Sequence, residues 1–182
     1  GIKIRPANPK NLELIFEEKE LELKQQKELL PAILTELTAL TPSDDVSFEV
    51  KSYHGQEGLK QMLWNQLSAG GEILQFAYQN RNDIVGKHFA EKVREEQVAR
   101  KITLYEIENA VDQGDFWYTN ISDFKKFYSA RHIQAKILAI HQNLGIFDDT
   151  VSIMNWTEGT LSGLEIVNPA FAKMQREIFW EF

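Results

Sequence analysis

Glu72-Ile73-Leu74-Gln75-Phe76-Ala77-Tyr78 is the stretch on which the fold turns. It is a short apolar and aromatic run between the helix-ending pair Gly70-Gly71 and the polar Gln79-Asn80-Arg81, the mark of a buried strand. On either side the period becomes helical. Upstream, Leu59, Met62, Leu63 and Leu67 line one helix face, and the glycine pair ends that helix. Downstream, Asn82 or Asp83 caps a helix whose Val85, Phe89 and Val93 face inward, and Ile102-Thr103-Leu104-Tyr105-Glu106-Ile107 forms the next strand. Farther upstream, Val46-Ser47-Phe48-Glu49-Val50 alternates as a first strand, with a turn at His54-Gly55. Strand, helix, strand, helix, strand predicts a parallel sheet with right-handed crossovers, an α/β class.

The second half has shorter joins. Strands are expected at about residues 131–134, 136–140, 145–147 and 151–156, with a hairpin turn at Asp148-Asp149-Thr150. Leu164-Glu165-Ile166-Val167 reads as the last strand. Asn168-Pro169 starts a final helix with Phe171, Met174, Ile178 and Phe179 on its apolar face.

Residues 1–40 form a separate segment, and 46–182 the globular domain. Asn8 before Pro9 opens a long helix with apolar residues at Leu12, Ile15, Leu23, Leu30, Ile33, Leu37 and Leu40. Lys19 and Gln26 fill the two gaps in a heptad spacing, so a coiled coil is expected, with Leu12, Ile15, Leu23 and Leu30 in a homodimer seam. Pro31 is expected to kink this helix into two. Thr41-Pro42-Ser43-Asp44-Asp45 reads as a linker.

Composition narrows the function. Hydrophobic residues make up 43% of the 182-residue chain, enough for a core. The net charge of −7, with Lys125-Lys126 as the densest basic run, argues against direct nucleic-acid binding. There is no cysteine, which excludes disulfides, thiolate zinc sites and thiol nucleophiles and fits a cytoplasmic location. No apolar stretch is long enough for a membrane helix. The four histidines, His54, His88, His132 and His141, show no metal-ligand spacing, although His132 and His141 fall near strands read as adjacent. No GxSxG, GxGxxG or Walker loop occurs, and Gly159-Thr160-Leu161-Ser162-Gly163 reads as a loop. No metal, cofactor or catalytic residue is expected.

In open parallel sheets, ligands bind beyond the carboxyl ends of the strands. Those ends carry Tyr78-Gln79-Asn80-Arg81 and Glu106-Ile107-Glu108-Asn109. The candidate ligand residues are therefore Tyr78, Asn80, Arg81, Glu106, Asn109 and Arg131. Trp117-Tyr118 is an aromatic pair suited either to an interface or to burial under a loop.

The order of these parts resembles the effector domain of TrmB-type transcriptional regulators. Tyr53-His54-Gly55-Gln56-Glu57-Gly58-Leu59-Lys60 is similar to the Y-x-G-x-x-G-(I/L)-(K/R) segment that opens that domain. Phe147-Asp148-Asp149-Thr150-Val151-Ser152-Ile153 resembles its hairpin, and Ile166-Val167-Asn168-Pro169 with Gln175-Arg176-Glu177-Ile178-Phe179-Trp180 its closing strand and helix. The resemblance implies a phospholipase D-like mixed sheet flanked by helices, a homodimer joined by the N-terminal coiled coil, and a small-molecule effector, a sugar by family analogy. DNA would be read only through a winged helix-turn-helix that this chain lacks; Ile2-Lys3-Ile4-Arg5-Pro6 reads as the tail of the connection to it. The phospholipase D superfamily uses an H-x-K-x4-D motif, twice per active site, in which histidine attacks phosphorus and lysine neutralises phosphate charge. Gln134-Ala135-Lys136 through His141 is the match considered, with Gln in place of the nucleophile. The expectation is therefore a non-enzymatic ligand-sensing and dimerisation region. The alternative is a phosphodiesterase or nuclease of the phospholipase D class, with His132 or His141 as nucleophile.

Overall fold

The computed structural model describes residues 10–40, 48–78, 80–109, 119–157 and 160–182. The chain divides into two units, Gly1–Asp45 and Val46–Phe182. The Thr41–Asp45 linker, Val46-Ser47, Trp117-Tyr118 and the segment 2–6 lie outside the described residues.

In the first unit, α1 (Lys10–Leu40) is one helix rather than two. Pro31 lies inside it, and the Thr35 hydroxyl donates to the Pro31 carbonyl at 2.9 Å. A proline removes a single N–H and crowds a single carbonyl, and here the helix continues past both. Leu12, Ile15, Leu23 and Leu30 are all about half exposed on it.

The second unit is built on a seven-stranded mixed sheet. In chain order its elements are β1 (Glu49–His54), α2 (Gly55–Asn65), β2 (Glu72–Ala77), α3 (Arg81–Val85), α4 (Lys87–Ala99), β3 (Thr103–Asn109), β4 (Tyr128–Ile133), β5 (Asn143–Phe147), β6 (Thr150–Thr157), β7 (Thr160–Val167) and α5 (Pro169–Glu181). The strand order is β1-β7-β6-β5-β2-β3-β4. β2, β3 and β4 are parallel, and β5, β6, β7 and β1 continue the sheet antiparallel.

The expected crossover between β2 and β3 is present, but β1 does not join it. That strand lies at the far edge, paired with β7. Its residues are mostly half-buried or exposed, the pattern of an edge strand rather than of the centre of a parallel sheet. Gly55 takes a φ of +69° at the junction of β1 with α2, a conformation that costs glycine little. The helix after β2 is two helices, broken at Gly86 (φ +81°). Its cap is Asn80, whose side chain accepts from the Asn82 amide at 2.9 Å, and not Asn82 or Asp83. Thr160–Gly163 belongs to β7 instead of a loop.

The two faces of the sheet follow from strand alternation. Ile73, Leu104, Phe147 and Met154 join Leu59, Met62, Leu63 and Val93 under α2 and α4. Leu74, Phe76, Ile107, Ile146 and Val151 pack with Ala172 and Phe179 of α5. The α5 cap is as expected, since Asn168 accepts from the Phe171 amide at 2.7 Å with Pro169 in the first turn. Met174 and Ile178, expected on its buried face, are 47% and 40% exposed. No helix among the described residues is long and apolar enough to cross a membrane.

Candidate functional site

The expected strand over residues 136–140 is absent. Residues 134–142 instead carry the chain from edge strand β4 past the carboxyl ends of β3 and β2 to β5. Crossing two intervening strands spans about 14 Å at the usual strand spacing. The backbone turns at Gln134, whose carbonyl accepts from Ile137 at 2.8 Å and Leu138 at 3.2 Å. For the same reason β4 and β5 are not neighbours, and His132 and His141 are not on adjacent strands. His132 pairs with Glu108 across the β3–β4 register, Nε2 to Oε1 at 2.8 Å; His132 is exposed and Glu108 half-buried.

His141 is the exposed side chain that this segment delivers next to the end of β2. Its ring lies 6.3 Å from that of Tyr78, at an angle of 63°. Tyr78 is 47% exposed. Two residues on, the buried Asn143 opens β5, and its Oδ1 accepts from the Tyr78 backbone N–H at 2.6 Å. Asp148 closes the same strand at the opposite end, where its Oδ1 accepts from the Gly70 amide at 3.0 Å. His141-x-Asn143-x4-Asp148 has the H-x-K-x4-D spacing, with asparagine for lysine. The match considered from sequence lay on Gln134 and Lys136. Those two residues are exposed in the crossing segment, whereas the second reading keeps the histidine and sits on a strand. The spacing was present in the sequence; an equally spaced Gln134-x-Lys136-x4-His141 overlapped it.

The six residues proposed from sequence do not share one site. Tyr78 stands exposed beside His141. Asn80 caps α3. Arg81 and Glu106 are buried, at 5% and 7% exposure, on the α3–α4 side of the sheet. Gln75 bridges them: its Oε1 accepts from Arg81 at 3.3 Å and its Nε2 donates to Glu106 at 3.1 Å. Burial raises the Glu106 carboxyl above its ordinary pKa, while Arg81 and the hydrogen bond from Tyr128 pull it back down. Asn109 hydrogen-bonds the backbone of the crossing segment. Arg131 lies on the opposite face, its guanidinium 5.1 Å from the Phe179 ring and 5.3 Å from the Trp180 ring, donating to the Phe179 carbonyl at 3.2 Å.

Glu106 and Gln75 belong to a polar row that sequence periodicity did not reveal. Glu106 pairs with Gln75, Gln75 with Gly145, Gly145 with Ser152, and Ser152 with Glu165. All four side chains in this row are buried. Gln66 of the 3₁₀ turn after α2 donates to Ser152 at 3.1 Å. At the far end the Tyr53 hydroxyl donates to Glu165 at 2.6 Å and Asn65 donates to the same carboxylate at 2.9 Å. Burial, and then the Glu165 carboxylate, push the Tyr53 phenol up to about 12. Each member therefore has a hydrogen-bond partner, as buried polar groups require. Among the described residues, no group of three or more His, Cys, Asp or Glu side chains could hold a metal.

Neither the family models nor the curated proteins compared with the chain give a match. Solved structures do. NucT from Helicobacter pylori superposes with a TM-score of 0.51 at 14% identity, covering 74% of this chain and 94% of NucT. Polyphosphate kinase from Porphyromonas gingivalis superposes with a TM-score of 0.52 at 10% identity, over 72% of this chain but only 25% of the kinase. The narrower assignment to TrmB-type regulators finds no support in these neighbours. The expectation of a non-enzyme is corrected by them, because enzymes, the polyphosphate kinase among them, share this architecture. The chain has a phospholipase D-like fold, a mixed sheet flanked by helices.

Proposed function

We propose that the second unit is a phosphodiesterase or nuclease of the phospholipase D class, with His141 as nucleophile. The observation that carries this reading is the position of His141: exposed beside Tyr78 at the carboxyl end of a parallel strand, and first in the H-x-K-x4-D spacing along β5. An imidazole nitrogen attacks phosphorus and the bond to the leaving oxygen breaks. The alkoxide takes a proton from water, and a second water hydrolyses the phosphohistidine, releasing phosphate ester and histidine. Asn143 supplies an amide where the superfamily has a cation, so phosphate charge is less well neutralised and turnover is slow. The superfamily builds one site from two motif copies. This chain holds one such histidine-bearing segment, so a second protomer would supply the other.

The test is hydrolysis of bis(4-nitrophenyl) phosphate by the full chain, with acid-quench trapping of phosphohistidine. His141→Ala is expected to lower turnover by about 10³-fold or more and to abolish the trapped adduct. Equal rates in the two proteins, or no hydrolysis by the wild type, would reject the assignment.

A second reading is the ligand-sensing region of a TrmB-like regulator, homodimeric and answering to a small-molecule effector. It is favoured by α1, whose apolar side chains are exposed along the helix. Taking Phe16 (67% exposed) in place of Ile15 gives unbroken steps of four and three through Leu12, Lys19, Leu23, Gln26, Leu30 and Ile33. Light scattering on the full chain and on one starting at Asp45 is expected to give a dimer and a monomer, respectively. A monomeric full chain would remove both the coiled-coil dimer and the partner protomer.

A further inference from the structure

We propose that Asn109 is a positioning residue that sets where His141 stands, an inference that rests on the phosphodiesterase reading of that histidine. Asn109 ends β3, directly beneath the segment that crosses from β4 to β5. Its Nδ2 donates to the Ile133 carbonyl at 3.3 Å, where the segment leaves β4. The same nitrogen donates to the Leu138 carbonyl at 2.7 Å. Its Oδ1 accepts from the Ile140 amide at 2.9 Å. One side chain thus ties down the start of the crossing, its middle and the residue next to His141.

The neighbours complete the fixation. Ile140 is 7% exposed and anchored in the core under α5. Asn143, two residues past the histidine, is bonded to the Tyr78 backbone. His141 is therefore the exposed position of a short span pinned on both sides, with the Tyr78 ring beside it. Only an amide supplies donors and an acceptor from so short a side chain. Aspartate has the same shape but would set a carboxylate against two carbonyls and keep only the bond from Ile140. A displacement of about 1 Å in a catalytic group is enough to cost about 10²-fold in rate.

The experiment compares the full-length wild type with Asn109→Asp, Asn109→Ala and, as a control, Asn168→Ala, which removes a cap bond at the start of α5, remote from the site. Four quantities are read: kcat and KM on bis(4-nitrophenyl) phosphate, amide exchange at Ile140, and the ring resonances of His141. Asn109→Asp and Asn109→Ala are expected to lower kcat about 10²-fold with KM little changed. Both also shift the His141 ring signals. Exchange at Ile140 accelerates about tenfold in Asn109→Ala, which has lost the acceptor. Asn168→Ala is expected to lower the melting temperature while leaving kcat and the His141 signals in place. A kcat within about threefold of wild type in both Asn109 variants, or unmoved His141 signals, would overturn the proposal. If the wild type shows no turnover, the phosphodiesterase reading fails alone. The His141 signals and Ile140 exchange then decide whether Asn109 holds the segment.

Discussion

Replacing Arg81 with alanine lowers the unfolding free energy by about 3 kcal/mol near neutral pH, and the loss is larger at about pH 8 than at about pH 5. Arg81 is 5% exposed and reaches the buried Glu106 through Gln75. Removing a nearby buried cation leaves the buried carboxylate less well compensated, with Arg94 the other cation acting on it. In the wild type, burial already lifts the Glu106 carboxyl, and Arg81 is the first influence opposing the lift. Without the guanidinium the folded-state pKa rises further above the unfolded value. Such a carboxyl contributes its full stability below the unfolded pKa and loses it as pH rises through the folded one. The unfolded-state titration is common to both proteins, so the deficit opens as pH rises through the wild type's own raised Glu106 value and grows until the variant's higher value is passed. Urea unfolding of the full chain across this range measures it. The double variant Arg81→Ala/Glu106→Gln keeps an acceptor for Gln75 without the stranded charge, so it should recover part of the loss at high pH. A deficit independent of pH would mean that Arg81 acts through packing alone.

Gly163→Ala is expected to cost about 1–3 kcal/mol. Gly163 is buried in β7 opposite Met154, under α2. A Cβ there would collide with the Met62 thioether and come within 3.2 Å of Leu59 Cδ2. Met62 and Leu59 are both 0% exposed, so neither side chain can swing out to solvent. Bare backbone on β7 is what lets α2 lie this close to the sheet. Met62→Ala alone should leave a cavity worth about 2–5 kcal/mol. In the double variant the new methyl enters the space that the thioether vacated, so the two losses should fall short of their sum. Strict additivity in thermal or urea unfolding would show that the two residues do not compete for one volume.

The candidate site was partly legible in the sequence. The rule that ligands gather beyond strand ends brought Tyr78 and Asn109 forward, and both lie there. It also brought forward Arg81, Glu106 and Arg131, which local spacing could not sort by face. Arg81 and Glu106 lie under the sheet's α3–α4 side, and Arg131 stacks on α5. His141 was weighed as the terminal residue of a match that begins seven residues earlier, and as one of two nucleophiles for the phosphodiesterase alternative. Two matches overlapped in the sequence, and only the path of the chain from β4 to β5 separates them.

By itself the sequence determined those elements whose causes are local. Short apolar runs between turn residues marked β2 and β3, Asn168-Pro169 started α5, and Asp148-Asp149 joined β5 to β6. These depend on neighbours a few residues away, where side-chain period and cap chemistry act. The tertiary structure alone decided three further things. It put β1 at the far edge against β7, because pairing is a long-range choice that a strand's own pattern does not encode. It made residues 134–142 a crossing instead of a strand, since Asn109 satisfies backbone groups there that a sheet partner would otherwise take. It joined Glu106, Gln75, Ser152 and Glu165 into one buried row from four strands, a relation set by register across the sheet and not by spacing along the chain.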